Sequence, residues 1–149
     1  MSDPSEFWKE AMRNGMGQTA FLRALGGELV EFKKGIGRLR LPYSEKLIGN
    51  PETGVVHGGV ITAMLDQSCG MAIGSALDSP MGMATLDLRI DYMKPATPRE
   101  DILIEAECLK ITREIAFARS RAYHTSIDDP IAIATGTFML MRFAAAEAR

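Results

Sequence analysis

Residues 57–74 read HGGVITAMLDQSCGMAIG, a long apolar run that opens on a glycine pair and holds a single acid, Asp66, at its middle. The run predicts a buried helix, because apolar residues recur on nearly every side of a 3.6-residue period. A carboxylate inside such a helix is costly unless it has a partner. The backbone N–H groups of Gly58 and Gly59 at its start can meet an electron-rich atom. The run therefore combines two features of a hydrolytic site.

Size and composition indicate one soluble globular domain over residues 1–149. Hydrophobic residues make up 46% of the chain and charged residues 24%, and a net charge of -2 provides no basic field for nucleic acid. The acid within the apolar run makes insertion into a membrane costly, so none is expected. Cys69 and Cys108 lie in apolar stretches without metal-ligand spacing, which favours reduced thiols, a cytoplasmic location and no metal site.

The pattern around the run predicts an α+β fold. Residues 1–26 are expected to form a helical extension, with helices around 5–14 and over Thr19–Leu25. About six antiparallel strands would form a curved sheet wrapped around the central helix. This sheet is expected to continue into a partner subunit, because a long open edge invites pairing. The strands are predicted at Leu29–Phe32, Ile36–Leu41, around 86–92, Ile102–Ile111, Ile115–Tyr123 and Ile131–Phe143, with a loop over Pro42–Gly54.

The strand that follows the central helix has a clear period of two. It predicts a half-buried strand, whose apolar set would face the core. The apolar set is Leu86, Leu88, Ile90 and Tyr92, and it alternates with Thr85, Asp87, Arg89 and Asp91.

Thr62, Asp66 and Gly70 lie four residues apart and form a narrow strip of small and polar residues along the helix. Two interpretations are open: close packing of another backbone, with Asp66 hydrogen-bonded to a neighbour, or a ligand site. In the second, the N–H groups of Gly58 and Gly59 would hold a carbonyl oxygen as it becomes an oxyanion, and Asp66 would be a nucleophile or general base. Gly58 and Asp66 are about 12 Å apart along a helix, too far to serve one carbonyl group. Two antiparallel copies would solve this, so the spacing favours a site shared across a two-fold dimer.

Two segments carry a resemblance to a known family. Residues 50–59 read NPETGVVHGG and are followed by Asp66 nine residues after the histidine, and residues 82–96 read GMATLDLRIDYMKPA. This pattern resembles the hotdog-fold thioesterases, most closely their phenylacetate-degradation-type (PaaI-like) branch of acyl-CoA thioesterases. The resemblance implies a curved sheet around one helix, homodimers that often pair into dimers of dimers, and hydrolysis of acyl-CoA without a metal or cofactor.

The same resemblance implies roles at individual positions. Gly58, with Gly59, would polarise the thioester carbonyl, and Asp66 would be the catalytic carboxylate. Asn50 matches a loop asparagine of the family, although it stands seven positions before the histidine where six are expected. Thr85 stands where the family often has a serine that positions water.

Four further residues are candidates for contacts with the substrate. His57 would either order the turn before the helix or, as in related dehydratases, exchange protons. Gln67 would orient the site or cap a backbone group, and Lys94 and Arg113 would meet the phosphates of CoA unless they belong to a solvated strand face. The sequence thus predicts a cytoplasmic acyl-CoA thioesterase. Two alternatives stay open: a hotdog hydratase or dehydratase that uses His57, and an acyl-thioester-binding module without turnover.

Overall fold

The computed structural model describes residues 19–142, which form one long helix packed against a six-stranded antiparallel sheet. The helix predicted around residues 5–14 and Phe143, the predicted end of the last strand, lie outside this range. The elements are α1 (Ala20–Leu25), β1 (Glu28–Lys33), β2 (Ile36–Leu41), a single 3-10 turn (Glu45–Leu47), β3 (Ile48–Asn50), β4 (Val55–Val56), α2 (Gly58–Ala76), β5 (Gly82–Tyr92), β6 (Ile102–Ile111), β7 (Ile115–Tyr123) and β8 (Ala132–Met141).

The main sheet has the strand order β1-β2-β6-β7-β8-β5, and every neighbouring pair is antiparallel. The predicted architecture of a central helix with about six antiparallel strands is therefore confirmed. The loop predicted over Pro42–Gly54 is wrong in part. Ile48–Asn50, inside this segment, forms β3, which pairs with β4 immediately before α2. This pairing brings the loop back to the start of the helix.

Helix α2 packs mainly against the central strands β6, β2 and β7. The helix and the sheet lie close together at Gly37, where an added Cβ would lie 3.1 Å from the Cβ of Met71 and 3.2 Å from the carbonyl oxygen of Ser68. The Ser68 hydroxyl donates to the Leu65 carbonyl (2.8 Å) and lies 2.7 Å from the hydroxyl of Ser120 on β7. Both serines are fully buried, so this pair fixes α2 against the sheet.

The outer face of the sheet carries cross-strand ion pairs. At one end, the Asp101 carboxylate accepts hydrogen bonds from the Tyr43 N–H (2.8 Å) and from the Arg40 guanidinium (3.0 Å). These donors favour the charged form and hold the pKa of Asp101 below its ordinary value. Because the pairs on this face are well exposed, each contributes little to stability.

Strand β5 forms one edge of the sheet and contains a β-bulge at Leu86. Thr85 pairs with Phe138 and Asp87 pairs with Thr137, so Leu86 is the extra residue between two paired positions. An extra residue reverses the alternation of side chains on one side of the bulge. Thr85 therefore shares the helix-facing side with the buried Phe138. The prediction that Leu86 is buried is wrong, since 51% of the residue is exposed.

One side of α2 is not covered by the sheet within residues 19–142. The sequence pattern predicts a helix surrounded by the sheet, but the sheet covers only the side that faces β2, β6 and β7. Within residues 19–142, no helix has the length and apolar character needed to span a membrane. The uncovered stripe consists of the exposed Gly58 and Gly59 and the half-buried Thr62, Ala63, Asp66, Gln67 and Gly70.

Candidate active site

The start of α2 is capped by His57. The Nδ1 atom of its ring accepts a hydrogen bond of 2.9 Å from the Gly59 N–H. The backbone N–H of His57 donates to the Leu47 carbonyl at 2.8 Å. An imidazole nitrogen that accepts carries no proton, so this neutral ring is protonated at Nε2. The cap orders the turn into the helix, which is one of the two roles expected for His57 from the sequence.

Gly58 and Gly59 differ in what their N–H groups can do. The Gly59 N–H is engaged by His57, whereas the Gly58 N–H has no hydrogen-bond acceptor among residues 19–142. An N–H at the first position of a helix points outward along the axis, at the positive end of the helix dipole. Of the predicted glycine pair, Gly58 is therefore the residue whose amide is available to an external oxygen.

The carbonyl of Gly58 is held from two sides. The Tyr92 hydroxyl donates to it at 2.8 Å, and the Thr62 hydroxyl donates to it at 3.2 Å. The two hydroxyls also contact each other. Tyr92 is the last residue of β5, so this contact joins the edge strand of the sheet to the first turn of the helix.

Asp66 lies two turns further along α2, half-buried within the uncovered stripe. Its carboxylate accepts a hydrogen bond of 2.9 Å from the Thr85 hydroxyl. The bulge in β5 makes this contact, because Thr85 would otherwise lie on the outer face of the sheet. Asp66 is thus oriented by one hydroxyl donor and stays open to solvent on the stripe. Gly70, one turn later, leaves open space beside it, since a Cβ there would meet no atom of residues 19–142 within 4 Å.

Asn50 shapes the turn that precedes the helix. Its side-chain oxygen accepts from the Glu52 N–H (3.0 Å), and its backbone carbonyl accepts from the Gly54 N–H (2.8 Å). The neighbouring Gly49 packs on His57, where an added Cβ would lie 2.8 Å from the His57 Cα. The structure thus brings the Asn50 turn beside the start of α2.

The other predicted contact residues are placed in different surroundings. Gln67 lies on the uncovered stripe, and its side-chain oxygen accepts a long hydrogen bond (3.5 Å) from the Thr19 hydroxyl. Lys94 forms an ion pair with Asp129. Arg113 is exposed in the turn between β6 and β7, where it lines a surface depression of about 240 Å³. The structure therefore does not bring Lys94 and Arg113 together with Asp66.

The thiol of Cys69 lies on α2 three residues after Asp66, but its surroundings make it inert. Complete burial raises the pKa of its thiol to about 12, and the negative charge of Asp66 adds to the shift. A thiol in this state carries almost no thiolate at neutral pH. Within the part of the chain that the structure describes, no group of His, Cys, Asp and Glu side chains is arranged to hold a metal ion.

The sequence pattern did not predict the contacts of two side chains in this region. Tyr92 was predicted only as one of several apolar residues on a strand, yet its hydroxyl reaches the helix start. His124 accepts from the Thr97 N–H (2.8 Å) and bonds the Asp101 carbonyl (2.8 Å), which fastens the loop between β5 and β6. In both cases the partner lies more than twenty residues away, so no local pattern could reveal the contact.

Comparison with known proteins identifies relatives of the whole fold. The profile of the thioesterase superfamily matches residues 53–130 of this chain. The medium/long-chain acyl-CoA thioesterase YigI of Escherichia coli is 32% identical over 133 residues, which cover 80% of this chain and 84% of that protein.

Solved structures agree in fold. A crystal structure of a Pseudomonas aeruginosa protein superimposes with a TM-score of 0.78 at 42% identity, and covers 89% of this chain and 98% of that one. The phenylacetic acid degradation protein PaaI from Thermus thermophilus, in a point-mutant form, gives a TM-score of 0.71 at 22% identity, with 84% of this chain and all of that one (100%) covered. The second likeness is one of fold alone, and it confirms the hotdog architecture expected from the sequence.

Proposed function

This chain belongs to the thioesterase superfamily, and on that premise we propose that it hydrolyses acyl-CoA to a free acid and CoA. YigI, the relative that supports this most directly, is named for medium- and long-chain acyl-CoA. Asp66 acts as the nucleophile or as the general base that activates water. Gly58 supplies the N–H that stabilises the oxyanion, and no cofactor takes part.

The observation that carries this proposal is the hydrogen bond from Thr85 to Asp66 on the uncovered stripe of α2. A carboxylate in this position is oriented by a hydroxyl, open to substrate, and placed on the same helix as a free N–H. General-base or nucleophilic catalysis needs such an oriented, accessible group. Thr85 takes the position of the water-orienting serine, and keeps the hydroxyl that this role requires.

The two groups come from different subunits. Gly58 and Asp66 lie about 12 Å apart along the helix axis at 1.5 Å per residue, whereas a reacting carbonyl must lie about 3 Å from both. A two-fold axis beside the uncovered stripe would bring the Gly58 of one chain to the Asp66 of its partner. Each homodimer then holds two equivalent sites.

The edge strand β5 is the surface that forms this dimer. Its eleven residues leave one row of backbone N–H and C=O groups without a strand partner within residues 19–142. Exposed apolar side chains follow the same edge, with Leu86 51%, Tyr92 50% and Met93 56% exposed. A long apolar edge of this kind calls for a partner strand, and a second copy of β5 is self-complementary. Pairing of dimers through the outer face of the sheet remains a prediction.

Roles for the remaining residues follow from their positions. Asn50 lies in the turn beside the start of α2, where its side-chain NH₂ can meet the thioester. His57 positions Gly58 through its cap and does not transfer protons in this scheme. Gln67 borders the carboxylate on the stripe. Lys94 and Arg113 stay proposed contacts for the phosphates of CoA at the rim of the dimer. The proposed location of the protein is the cytoplasm.

Substitution of the acid tests the proposal. Asp66→Asn should lower kcat by at least about 100-fold with acyl-CoA substrates of several chain lengths, followed through a thiol-reactive dye. Asp87→Asn is the matched control, because Asp87 is an exposed acid on the outer face of β5. Undiminished hydrolysis by Asp66→Asn would refute the assignment. Binding of acyl-CoA without any thiol release by the native chain would indicate a binding module, and hydration of enoyl-CoA would indicate a hydratase.

The oxyanion donor can be removed without disturbing the backbone. Gly58→Pro deletes only the N–H, since proline is favoured at the first helical position and His57 (φ -60°, ψ 132°) already has a conformation suited to precede it. An added Cβ would meet the Tyr92 side chain at 3.7 Å, an ordinary van der Waals contact. We expect a loss of about 100-fold or more in kcat. Gly58→Ala adds a Cβ but keeps the N–H, and should lose much less.

Mixed dimers test whether the site is shared. When the Gly58→Pro and Asp66→Asn chains are mixed in equal amounts, half of the dimers are mixed and each holds one intact site, so about a quarter of the native activity should return. Activity that stays absent after subunit exchange has been verified would show that Gly58 and Asp66 of one chain act together.

A further inference from the structure

The peptide group between Gly58 and Gly59 is held at both ends by side chains. Its N–H, that of Gly59, donates to His57, and its carbonyl, that of Gly58, accepts from the hydroxyls of Tyr92 and Thr62. A glycine pair is the most flexible backbone that a chain can have. At a helix start, where intrahelical hydrogen bonds are incomplete, such a pair would fray. Hydrogen bonds between three side chains and one peptide group therefore hold this part of the backbone in one orientation.

We propose that Tyr92 is a positioning residue for this oxyanion site, a role that rests on the function proposed above. Its hydroxyl fixes the Gly58–Gly59 peptide, and through it the direction of the adjacent Gly58 N–H. Tyr92 does not touch the reacting atoms in this scheme. It also ties the oxyanion site to β5, the strand proposed to form the dimer, so that the amide is aligned by the same element that brings the partner's Asp66 to it.

The two hydroxyls on the Gly58 carbonyl do not contribute equally. The Tyr92 bond (2.8 Å) is shorter than the Thr62 bond (3.2 Å), and Thr62 lies on the helix itself, so it cannot anchor the helix to the sheet. Of the three side chains that bond this peptide within residues 19–142, Tyr92 is the one that connects it to another strand or helix. When the Tyr92 hydroxyl is removed, Thr62 can still hold the Gly58 carbonyl in part, because its hydroxyl donates to the same carbonyl.

The perturbation is the removal of a single oxygen atom. Tyr92→Phe should lower kcat about 10-fold, less than loss of the donor itself, while KM changes by less than about 2-fold. Thr62→Val in the Tyr92→Phe background should lower kcat further, whereas Thr62→Ser should not. Tyr123→Phe is the matched control, because Tyr123 lies at the end of β7, paired with Leu103 and near the ion pair of Arg38 and Glu105. A rise in KM with unchanged kcat would overturn the proposal, since it would make Tyr92 a substrate contact.

Heterodimers distinguish a role at Gly58 from a role at Asp66 of the same chain. With Asp66→Asn on one chain and Tyr92→Phe on the other, the surviving Asp66 meets a Gly58 whose own Tyr92 is intact. This dimer should therefore keep one site with native kcat. With both substitutions on one chain and a native partner, the surviving site should show the 10-fold lower kcat.

The reversed result would refute the role of Tyr92 at Gly58. The comparison is the mixture of Gly58→Pro and Asp66→Asn chains, which tests the shared site in proteins that keep the native Tyr92. If that mixture recovers activity and the Tyr92 results are reversed, the positioning role fails while the proposed function stands. If the mixture stays inactive, the shared site itself fails.

Discussion

Replacing Thr85 with valine removes the hydroxyl that orients Asp66 and keeps the shape of the side chain. The donor lies 2.9 Å from the carboxylate oxygen, an ordinary length for a hydrogen bond to a charged acceptor. Such bonds contribute about 1.5–3 kcal/mol, and because Thr85 is exposed we take the lower end. A loss of about 1.5 kcal/mol in the transition state corresponds to about a 10-fold drop in kcat/KM.

The assay is a thiol-release measurement on three variants in two backgrounds. Thr85→Val should show the 10-fold drop, and Thr85→Ser, which retains the hydroxyl, should stay within about 3-fold of the native protein. Thr135→Val is the matched control, since Thr135 is exposed on the outer face of β8. In the Asp66→Asn background the effect of Thr85→Val should nearly vanish, because the carboxylate it orients is gone. A full additional 10-fold loss in that background would refute the reasoning.

Three further predictions concern stability and assembly. Ser68→Ala should lower the free energy of unfolding, measured by urea denaturation, by about 1–3 kcal/mol, because it leaves the buried Ser120 hydroxyl without a partner. Ser120→Ala should cost less, since Ser68 still donates to Leu65. The double variant should cost less than the sum of the two single variants. Arg89→Glu should weaken the dimer by placing three acids in a row on each β5 edge, seen as a lower mass in sedimentation at low salt that recovers at high salt, whereas Arg89→Gln should not. Asp101 has a lowered pKa in the folded chain, so its stabilising effect is present at neutral pH and is lost as the pH falls below the ordinary pKa of 3.8. In thermal unfolding, Asp101→Asn should therefore be less stable than the native protein at pH 7. The difference in stability should shrink towards pH 2.

Hydrophobic periodicity predicted the long elements of this fold. The central helix begins at Gly58 and ends at Ala76, close to the apolar run read from the sequence. Strands β6 and β7 have the predicted bounds, and β8 begins one residue later than expected. Long periodic segments are reliable because burial of their apolar face is the main contribution to their stability. Short elements such as β3 and β4 were missed, since their pairing depends on a neighbouring segment.

The bulge at Leu86 is the clearest failure of the sequence pattern. Strict alternation placed Leu86 on the core side and Thr85 on the outer face, whereas the structure exposes Leu86 and turns Thr85, itself exposed, to the side of the sheet that faces the helix. The resemblance to the thioesterase family nevertheless put Thr85 near Asp66, against the periodicity of the same strand. A bulge has no strong local signal, because it is set by how two strands match their lengths. Here the register with β8 decides which face Thr85 takes.

The opening run by itself determined the buried helix, its lone acid and its glycine start, because side-chain polarity and helix periodicity are local properties of the chain. Tertiary structure decided what these groups do. It turned Thr85 towards Asp66 through an extra residue in β5, and it placed the Tyr92 hydroxyl of the edge strand on the Gly58 carbonyl. These outcomes depend on which strand lies beside the helix and in which register. Contacts between residues far apart in the chain set both.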